Sequence, residues 1–288
     1  MMSAVYKKEL KTYFTGMTGP VFICFILLMA GIFTVVYNLQ GLYPNFEVTL
    51  NQVVFVYLLA IPVLTMRSIA EEKHSRTDQL LYSLPMSVTS IVMAKYLAMV
   101  TVLAIPCGVL AFYPLLLATF GTVHLASAYS MLLAFFLLGA SLIAVGMFIS
   151  SLTESQVIAA VVSLAVTLLI YFMPGIANMI STDASVSLIG FLAIAAVIGL
   201  IVNSMIKNTV VSLCVTGVLA LGIVGVYAVD SSLFAGAISE ILTAVSMFDR
   251  LTTFQNGMFD LTAIIFFLSV CGLFVYLTVQ SMEKKRWN

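Results

Sequence analysis

Long stretches without a charged residue dominate this sequence. A helix needs about 20 apolar residues to cross the roughly 30 Å hydrocarbon core of a bilayer. Eight runs are long enough to be candidates, at residues 20–37, 48–66, 96–120, 125–152, 157–173, 186–205, 209–229 and 261–277. Because 62% of the 288 residues are apolar and only 8% are charged, a water-soluble fold is excluded. The sequence therefore predicts an all-α polytopic membrane protein with eight transmembrane helices.

The positive charges predict how these helices are oriented, because Lys and Arg concentrate in cytoplasmic loops. With the N-terminus placed inside, only Arg250 of the twelve Lys and Arg residues falls outside. We therefore expect both termini to be cytoplasmic. The third run contains Pro106 and Pro114, which predict a bent or broken helix.

Two shorter segments have the apolar spacing of an amphipathic helix but are too short to span. The first lies in residues 1–19 and predicts a helix in the cytoplasmic interface, with an apolar stripe of Val5, Tyr6, Leu10, Tyr13 and Phe14. The second lies in residues 230–260 and predicts a helix on the outer face, with a stripe of Leu233, Phe234, Ile238, Ile241, Leu242, Val245 and Phe248. A plain packing helix is the alternative for both.

Residues 67–95 form the only sizeable hydrophilic segment on the predicted cytoplasmic side. Charged residues crowd its first half, and an apolar patch containing Leu80 and Leu81 follows before Pro85. This arrangement suits a short helix presented to a soluble partner, but a solvated loop has the same composition. Composition alone leaves both interpretations open.

Motif searches find no nucleotide or catalytic site. The phosphate-binding pattern G-x-x-x-x-G-K-[ST] and the zinc pattern H-E-x-x-H are absent, and the topology puts His74 and His124 on opposite sides of the membrane. The four cysteines, Cys24, Cys107, Cys214 and Cys271, fall in different runs and are interpreted as packing residues. With a net charge of zero, nucleic acid is not an expected partner. We therefore expect a chain that is not an enzyme by itself and binds no cofactor or metal.

The eight runs also contain no ionisable side chain. Carriers driven by protons or sodium commonly keep such groups inside the membrane, because the driving ion binds there. A permease driven by an external motor does not need them. A non-transporting membrane anchor or assembly subunit is the main alternative, since it also lacks a polar pathway. An intramembrane enzyme is disfavoured because it needs clustered His, Asp or Glu at membrane depth.

Four separated segments together resemble the ABC-2 family of ATP-binding-cassette transporter permeases, and most closely the subgroup that includes the gliding-motility permease. They are residues 7–14 running into Gly19 and Pro20, residues 67–73 continuing to Lys95, residues 150–156, and residues 248–260 continuing to 283–287. No single motif decides the resemblance. Their order along the chain carries it.

The resemblance implies the membrane subunit of an exporter. In such a transporter a soluble ABC ATPase holds ATP and Mg²⁺, and the permease pairs with a second copy or with a related permease. It implies the plasma (inner) membrane of a prokaryote, residues 186–229 as an inserted helix pair, and an external gate helix formed by the outer amphipathic stripe. The residues that it implies for contact with the ATPase lie in a coupling helix and are Arg67, Glu71, Glu72, Lys73, Arg76, Leu80 and Leu81.

Overall fold

The computed structural model describes residues 2–77, 86–180, 183–206, 209–229 and 231–287. All regular elements in these ranges are helical, which confirms the all-α class. Within them, the stretches long and apolar enough to cross a bilayer are Thr18–Gln40, Phe46–His74, Val88–Leu117, Leu125–Leu152, Gln156–Met179 and Leu261–Lys284. These six candidate spans correspond to the first five predicted runs and the last one. The chain is therefore a multi-pass membrane protein.

The helices have the following bounds. The first half of the chain contains α1 (Met2–Thr15), α2 (Thr18–Phe33), α3 (Phe46–Val53), α4 (Tyr57–Thr65), α5 (Ala70–His74), α6 (Val88–Leu110) and α7 (Tyr113–Leu117). The second half contains α8 (Leu125–Leu152), α9 (Gln156–Met179), α10 (Ala184–Ile206), α11 (Thr209–Val229), α12 (Ala237–Val245), α13 (Arg250–Gln255) and α14 (Leu261–Trp287). A π-helical stretch, Thr34–Gln40, continues α2, and a 3₁₀ turn, Val54–Val56, joins α3 to α4.

Helix α8 is the central element of the larger of two compact units, which comprises Met1–Leu169 and Met247–Asn288. It packs against α4, α6 and α14. At Gly139 a Cβ atom would lie 2.7 Å from a methyl carbon of Leu103, so the missing side chain permits the close approach of α6. The ring of Tyr57 stacks on Phe135 with centroids 4.5 Å apart and donates a hydrogen bond to the Phe135 carbonyl at 3.2 Å. These contacts make α4, α6 and α8 one packed block.

Two helices begin earlier than the charge-free runs that predicted them and so include a charged residue. Helix α6 begins at Val88, where the Ser87 hydroxyl accepts a hydrogen bond from the Ser90 amide at 3.3 Å, so Lys95 lies inside the helix. Helix α3 begins at Phe46, so Glu47 lies in its first turn. Both side chains are buried, with Lys95 2% and Glu47 4% exposed. Both residues lie toward the end at which their candidate span begins, and the charge-free runs stop short of them because a search that stops at each charge excludes charges that the fold buries. The absence of ionisable side chains from the membrane interior stays a prediction.

The predicted interruption of the third span is confirmed, although only one of its two prolines lies there. Pro106 remains inside α6, while the helix ends at Leu110 and α7 restarts after Ala111 and Phe112. Pro114 occupies the start of α7, where the missing amide proton costs no helical hydrogen bond.

The N-terminal segment is helical, but its buried face differs from the predicted stripe, and its place in the cytoplasmic interface stays a prediction. Helix α1 packs against α6 and α2, and its buried residues are Val5, Glu9 and Tyr13. Phe14 is 43% exposed, whereas Glu9, which is not part of the predicted stripe, lies on the packed face. The reason is that Glu9 has a buried partner, which is described below.

The smaller unit, Ile170–Ser246, contains the pair predicted at residues 186–229. The pair forms α10 and α11, which pack against each other. The described apolar parts of these helices, Ala184–Ala196 and Thr216–Ala228, are each shorter than a full span. Eight spans therefore stays a prediction.

Candidate functional site

The chain turns sharply where the second span ends. Helix α4 ends at Thr65, residues 66–69 form a turn, and the short helix α5 follows. The first amides of a helix have no partner within the helix itself. Here the hydroxyl of Ser150, near the end of α8, accepts from the amides of Ile69 at 3.2 Å and Ala70 at 3.1 Å, and donates to the carbonyl of Met66 at 3.2 Å. A side chain of α8 therefore caps α5.

Lys73 makes a second link between α5 and α8. Its side chain is buried, and its ammonium group donates a hydrogen bond to the carbonyl of Ser151. Ser151 lies in the last turn of α8, where unpaired carbonyls and the helix dipole favour a cation. Helix α5 is thus attached to the end of α8 at both its first turn and its last.

Lys95 lies at the centre of a buried ion cluster that joins α6 to three other segments. Its Nζ atom lies 3.1 Å from Glu9 Oε1 on α1 and 2.8 Å from Glu72 Oε1 on α5. It also donates to the Ser68 carbonyl in the turn at 3.0 Å. A lysine has three N–H donors, so each has an acceptor. We call Glu9, Ser68, Glu72 and Lys95 the Lys95 cluster.

Lys95 contributes more to the stability of this cluster than the other nearby cation, Lys8. Lys8 also approaches Glu72, but at 4.0 Å and with a side chain that is 66% exposed, so that pair contributes about 0–1 kcal/mol. Removing one partner of a buried pair costs about 3–5 kcal/mol, since the other charge is left without compensation. The second carboxylate oxygen of Glu72, Oε2, is buried and has no hydrogen-bond partner among the described residues.

Arg67 and Glu71 form a separate pair at the rim of the cluster. The guanidinium donates through Nε to Glu71 Oε2 at 2.8 Å and through Nη2 to Oε1 at 2.7 Å, which is the bidentate geometry that suits arginine. Its Nη1 atom also donates to the Thr18 hydroxyl at the start of α2, at 3.3 Å. This pair ties the turn to the first span.

Tyr13 closes the cluster from the side of α1. Burial and the neighbouring Glu9 carboxylate raise the pKa of the Tyr13 phenol well above its ordinary value. The phenol therefore stays protonated and donates to the carbonyl of Leu64 at 3.5 Å. A cavity of about 280 Å³ lies among these groups. In the described residues no set of three or more His, Cys, Asp or Glu side chains is arranged to hold a metal ion.

The family model described as ABC-2 family transporter protein matches residues 36–190, more than half of the chain. The chain belongs to the ABC-2 family. This identifies it as a permease subunit of an ABC transporter. The match includes Arg67, Glu71, Glu72, Lys95 and Ser150 and ends before the predicted outer segment. No curated protein and no solved structure matches this ABC-2 chain.

The structure brings together most of the coupling residues implied by the resemblance. Arg67, Glu71, Glu72 and Lys73 lie within the turn and α5. Arg67, Glu72 and Lys73 contact other segments, and Glu71 pairs with Arg67. Arg76 follows α5 with a positive φ of 56° and an exposed side chain. Leu80 and Leu81 lie outside the described residues.

Sequence reasoning missed Glu9, Lys95 and Ser150 as members of this site. The spacing did contain a signal for Glu9, which is four residues from both Val5 and Tyr13 and so shares their helical face. Lys95 interrupts an otherwise apolar helix, which indicates a buried partner once the helix is known to begin at Val88. Ser150 gives no comparable signal, because its capping role depends on a contact with residues 80 positions away.

The predicted outer helix of this ABC-2 permease is broken, which corrects the single helix expected from Leu233 to Phe248. A 3₁₀ turn, Ser231–Phe234, is followed by Gly236 with a φ of 74°, and α12 begins only at Ala237. Helix α12 ends at Val245, so Phe248 lies beyond it. The left-handed backbone at Gly236 is the physical cause of the break, since glycine adopts it without steric cost.

Burial within the smaller unit also differs from the predicted stripe. Phe234 and Ile238 are buried, with Phe234 packed edge-on against Phe191 at 5.5 Å. Leu242 is half-buried, and the remaining stripe residues of this unit are exposed, namely Leu233, Ile241 and Val245. Ser239, which is not part of the predicted stripe, donates a hydrogen bond to the Ala177 carbonyl at 2.9 Å. The packed face of α12 therefore includes a polar contact.

Proposed function

We propose that this ABC-2 chain is the permease of an exporter whose ATP and Mg²⁺ are bound by a separate soluble ATPase. The cluster around Lys95 is the observation that carries this proposal. We further propose that the permease acts with a second copy or a related permease, in the plasma membrane of a prokaryote, with both termini cytoplasmic. The subgroup of the gliding-motility permease remains our proposed placement within the family.

The Lys95 cluster gives an external motor a mechanical connection to the spans. A motor that moved α5 would move Glu72, and the buried contacts of Lys95 would carry that motion to α1 and α6. Because the pairs are shielded from water, they are screened by salt much less than a surface pair is. The segments are therefore expected to move as one body.

The contacts of α5 with Ser150 and Ser151 provide a second route into the membrane. Helix α8 packs against α4, α6 and α14. A displacement at the end of α8 would therefore be transmitted to these three helices. Close-packed interiors transmit such displacements because they contain little free volume. An ATPase pressing on α5 would thus act on the core of the larger unit.

The surface for the ATPase is proposed to lie at the end of α5. His74, Ser75, Arg76 and Thr77 are exposed there, and their side chains are open to a partner. A substitution of Glu72 would not test this surface, because the Glu72 carboxylate pairs with the buried Lys95 of the same chain. Its second carboxylate oxygen, Oε2, is buried and therefore closed to a partner as well.

The outer segment is proposed to help close the exit of the pathway. Phe234 and Ile238 anchor it within the smaller unit, while the exposed face with Ile241 and Val245 is free to meet lipid or a second permease. Only this second face is suited to a gating contact, since the first is already occupied.

Affinity purification from native membranes tests the proposed partner. Tagged wild-type chain should retain an ABC ATPase, and Arg76→Glu should weaken that retention at least about tenfold, because like charges at an interface cost several kcal/mol. Lys284→Glu is the matched control, since Lys284 is an exposed cation on α14. Absence of any ATPase from the wild-type eluate, or equal losses in both variants, would contradict the proposal.

A further inference from the structure

A polar pocket lies at the ends of the spans opposite to the Lys95 cluster. It has a volume of about 530 Å³ and is lined by side chains from three places in the larger unit. Asn45 and Glu47 come from the start of α3, His124 and Ser127 from the start of α8, and Gln255 and Asn256 from the end of α13. We call it the Glu47 pocket.

The walls of the Glu47 pocket are fixed by packing. Helices α3, α8 and α13 contact one another, and Phe46, Leu251 and Phe254 are fully buried among them. Gly257 has a φ of 77°, and a Cβ atom there would lie 3.2 Å from the Ser127 hydroxyl. The pocket is therefore a built concavity and not a gap between mobile loops.

Glu47 is the unusual member of this lining. Its side chain is 4% exposed, yet among the described residues it makes no hydrogen bond or ion pair. The carboxylate oxygens are not sealed in the interior but open into the pocket that Glu47 lines. Glu47 lies in the first turn of α3, at the positive end of the helix dipole, which favours a negative charge there. The carboxylate has no cationic partner among the described residues.

The composition of the lining indicates which cation would fit. Calcium takes six to eight oxygen ligands, usually from several carboxylates, whereas Glu47 is the only carboxylate in this pocket. The volume also far exceeds that of a bare ion. An ammonium group has three N–H donors, which one carboxylate and the neutral amide oxygens of Asn45, Gln255 and Asn256 can accept.

We propose that the Glu47 pocket binds a primary ammonium group, presented either by a lipid headgroup or by a soluble amine. The carboxylate of Glu47 supplies the charge, and the amides set the direction of the remaining donors. Nothing in this assignment depends on the ATPase, so it can fail while the permease proposal stands.

Calorimetric titration of ethanolamine into the full chain tests the proposal. The chain is held in phosphatidylcholine nanodiscs, so that no lipid carries a primary amine. Wild type should bind, and Glu47→Gln, which keeps the shape and removes the charge, should lose at least about tenfold in affinity. Glu240→Gln is the matched control, because Glu240 is an exposed carboxylate on α12. Gln255→Ala should weaken binding about threefold while Glu47 remains.

The unfolding temperature of each variant shows whether a loss of binding comes from the pocket or from misfolding. Ethanolamine should raise the unfolding temperature of wild type and Glu240→Gln but not of Glu47→Gln, since only a ligand bound to the folded state stabilises it. Repeating the titration in phosphatidylethanolamine nanodiscs identifies the source. Weaker apparent binding there means that the lipid headgroup reaches the pocket, and unchanged binding means a soluble amine. Equal titrations for wild type and Glu47→Gln, or tighter Glu47-dependent binding of Ca²⁺, would overturn the proposal.

Discussion

The ammonium group of Lys95 lies 2.8 Å from the carboxylate of Glu72 although the two residues belong to different helices. Lys95 is on α6, inside a candidate span, and Glu72 is on the short helix α5. The same ammonium group contacts Glu9, so two carboxylates from two segments share one buried cation. This geometry makes Lys95 the residue on which the positions of α1 and α5 depend.

Replacing Lys95 by Met should therefore destabilise the chain strongly. The variant leaves Glu9 and Glu72 buried without their cation, and the expected loss is about 3–5 kcal/mol in the free energy of unfolding. Thermal unfolding in nanodiscs measures it. Lys8→Met is the control and should cost less than about 1 kcal/mol, because Lys8 is largely exposed.

A triple variant separates charge from packing. Combining Lys95→Met with Glu9→Gln and Glu72→Gln removes the uncompensated carboxylates, and it should recover a large part of the lost stability. If Lys95→Met and Lys8→Met unfold at the same temperature, the Lys95 cluster does not stabilise the fold.

Replacing Ser150 by Ala should loosen the start of α5 without disturbing α8. The amides of Ile69 and Ala70 lose their acceptor, and an unsatisfied buried donor costs about 1–3 kcal/mol. Amide hydrogen exchange at these two residues should become about tenfold faster or more. Ser151→Ala is the matched control, since that hydroxyl donates only to the Phe148 carbonyl in its own helix. Unchanged exchange in Ser150→Ala would show that the cap is dispensable.

In the outer segment, Ile238→Ala should be far more costly than Ile241→Ala. Ile238 is buried and its side chain would lie 2.9 Å from a Cβ atom at Gly190, whereas Ile241 is 45% exposed. Large-to-small substitution in a core costs about 2–5 kcal/mol, while an exposed position changes stability by about 0.5 kcal/mol or less. Thermal unfolding of the two variants provides the comparison, and equal effects would contradict the packing of α12.

Much of the helical fold follows from where apolar runs begin and end. The run 125–152 coincides with α8, and the run that begins at Leu261 is the start of α14. The boundaries of both helices could be predicted because a charged residue or a turn-forming residue interrupts the apolar pattern there. The break at Gly236 was not predicted, because apolar periodicity continues on both sides of it and a single glycine is tolerated within many helices.

The site was harder to predict because its contacts are distant in sequence. Glu9 and Lys95 are 86 residues apart. The residue type alone does not show whether a charged side chain is buried and paired or exposed to solvent. The positions of Arg67, Glu71, Glu72 and Lys73 could be predicted from their crowding after an apolar run. Their partners could not, since which helix faces α5 is decided by packing of the whole unit.

Spin-label distances in the reconstituted permease and ATPase complex test the central claim most directly. Labels on Lys11→Cys and His74→Cys, both exposed positions, report on α1 and α5, and a third label on Thr122→Cys reports on the opposite ends of the spans. The four native cysteines are replaced beforehand. If the Lys95 cluster couples the ATPase to the spans, vanadate trapping with ATP should change the distance between the Thr122→Cys labels of two permease copies, while the 11–74 distance within one chain stays constant. A constant distance between the two 122 labels, or separation of residues 11 and 74, would contradict the account.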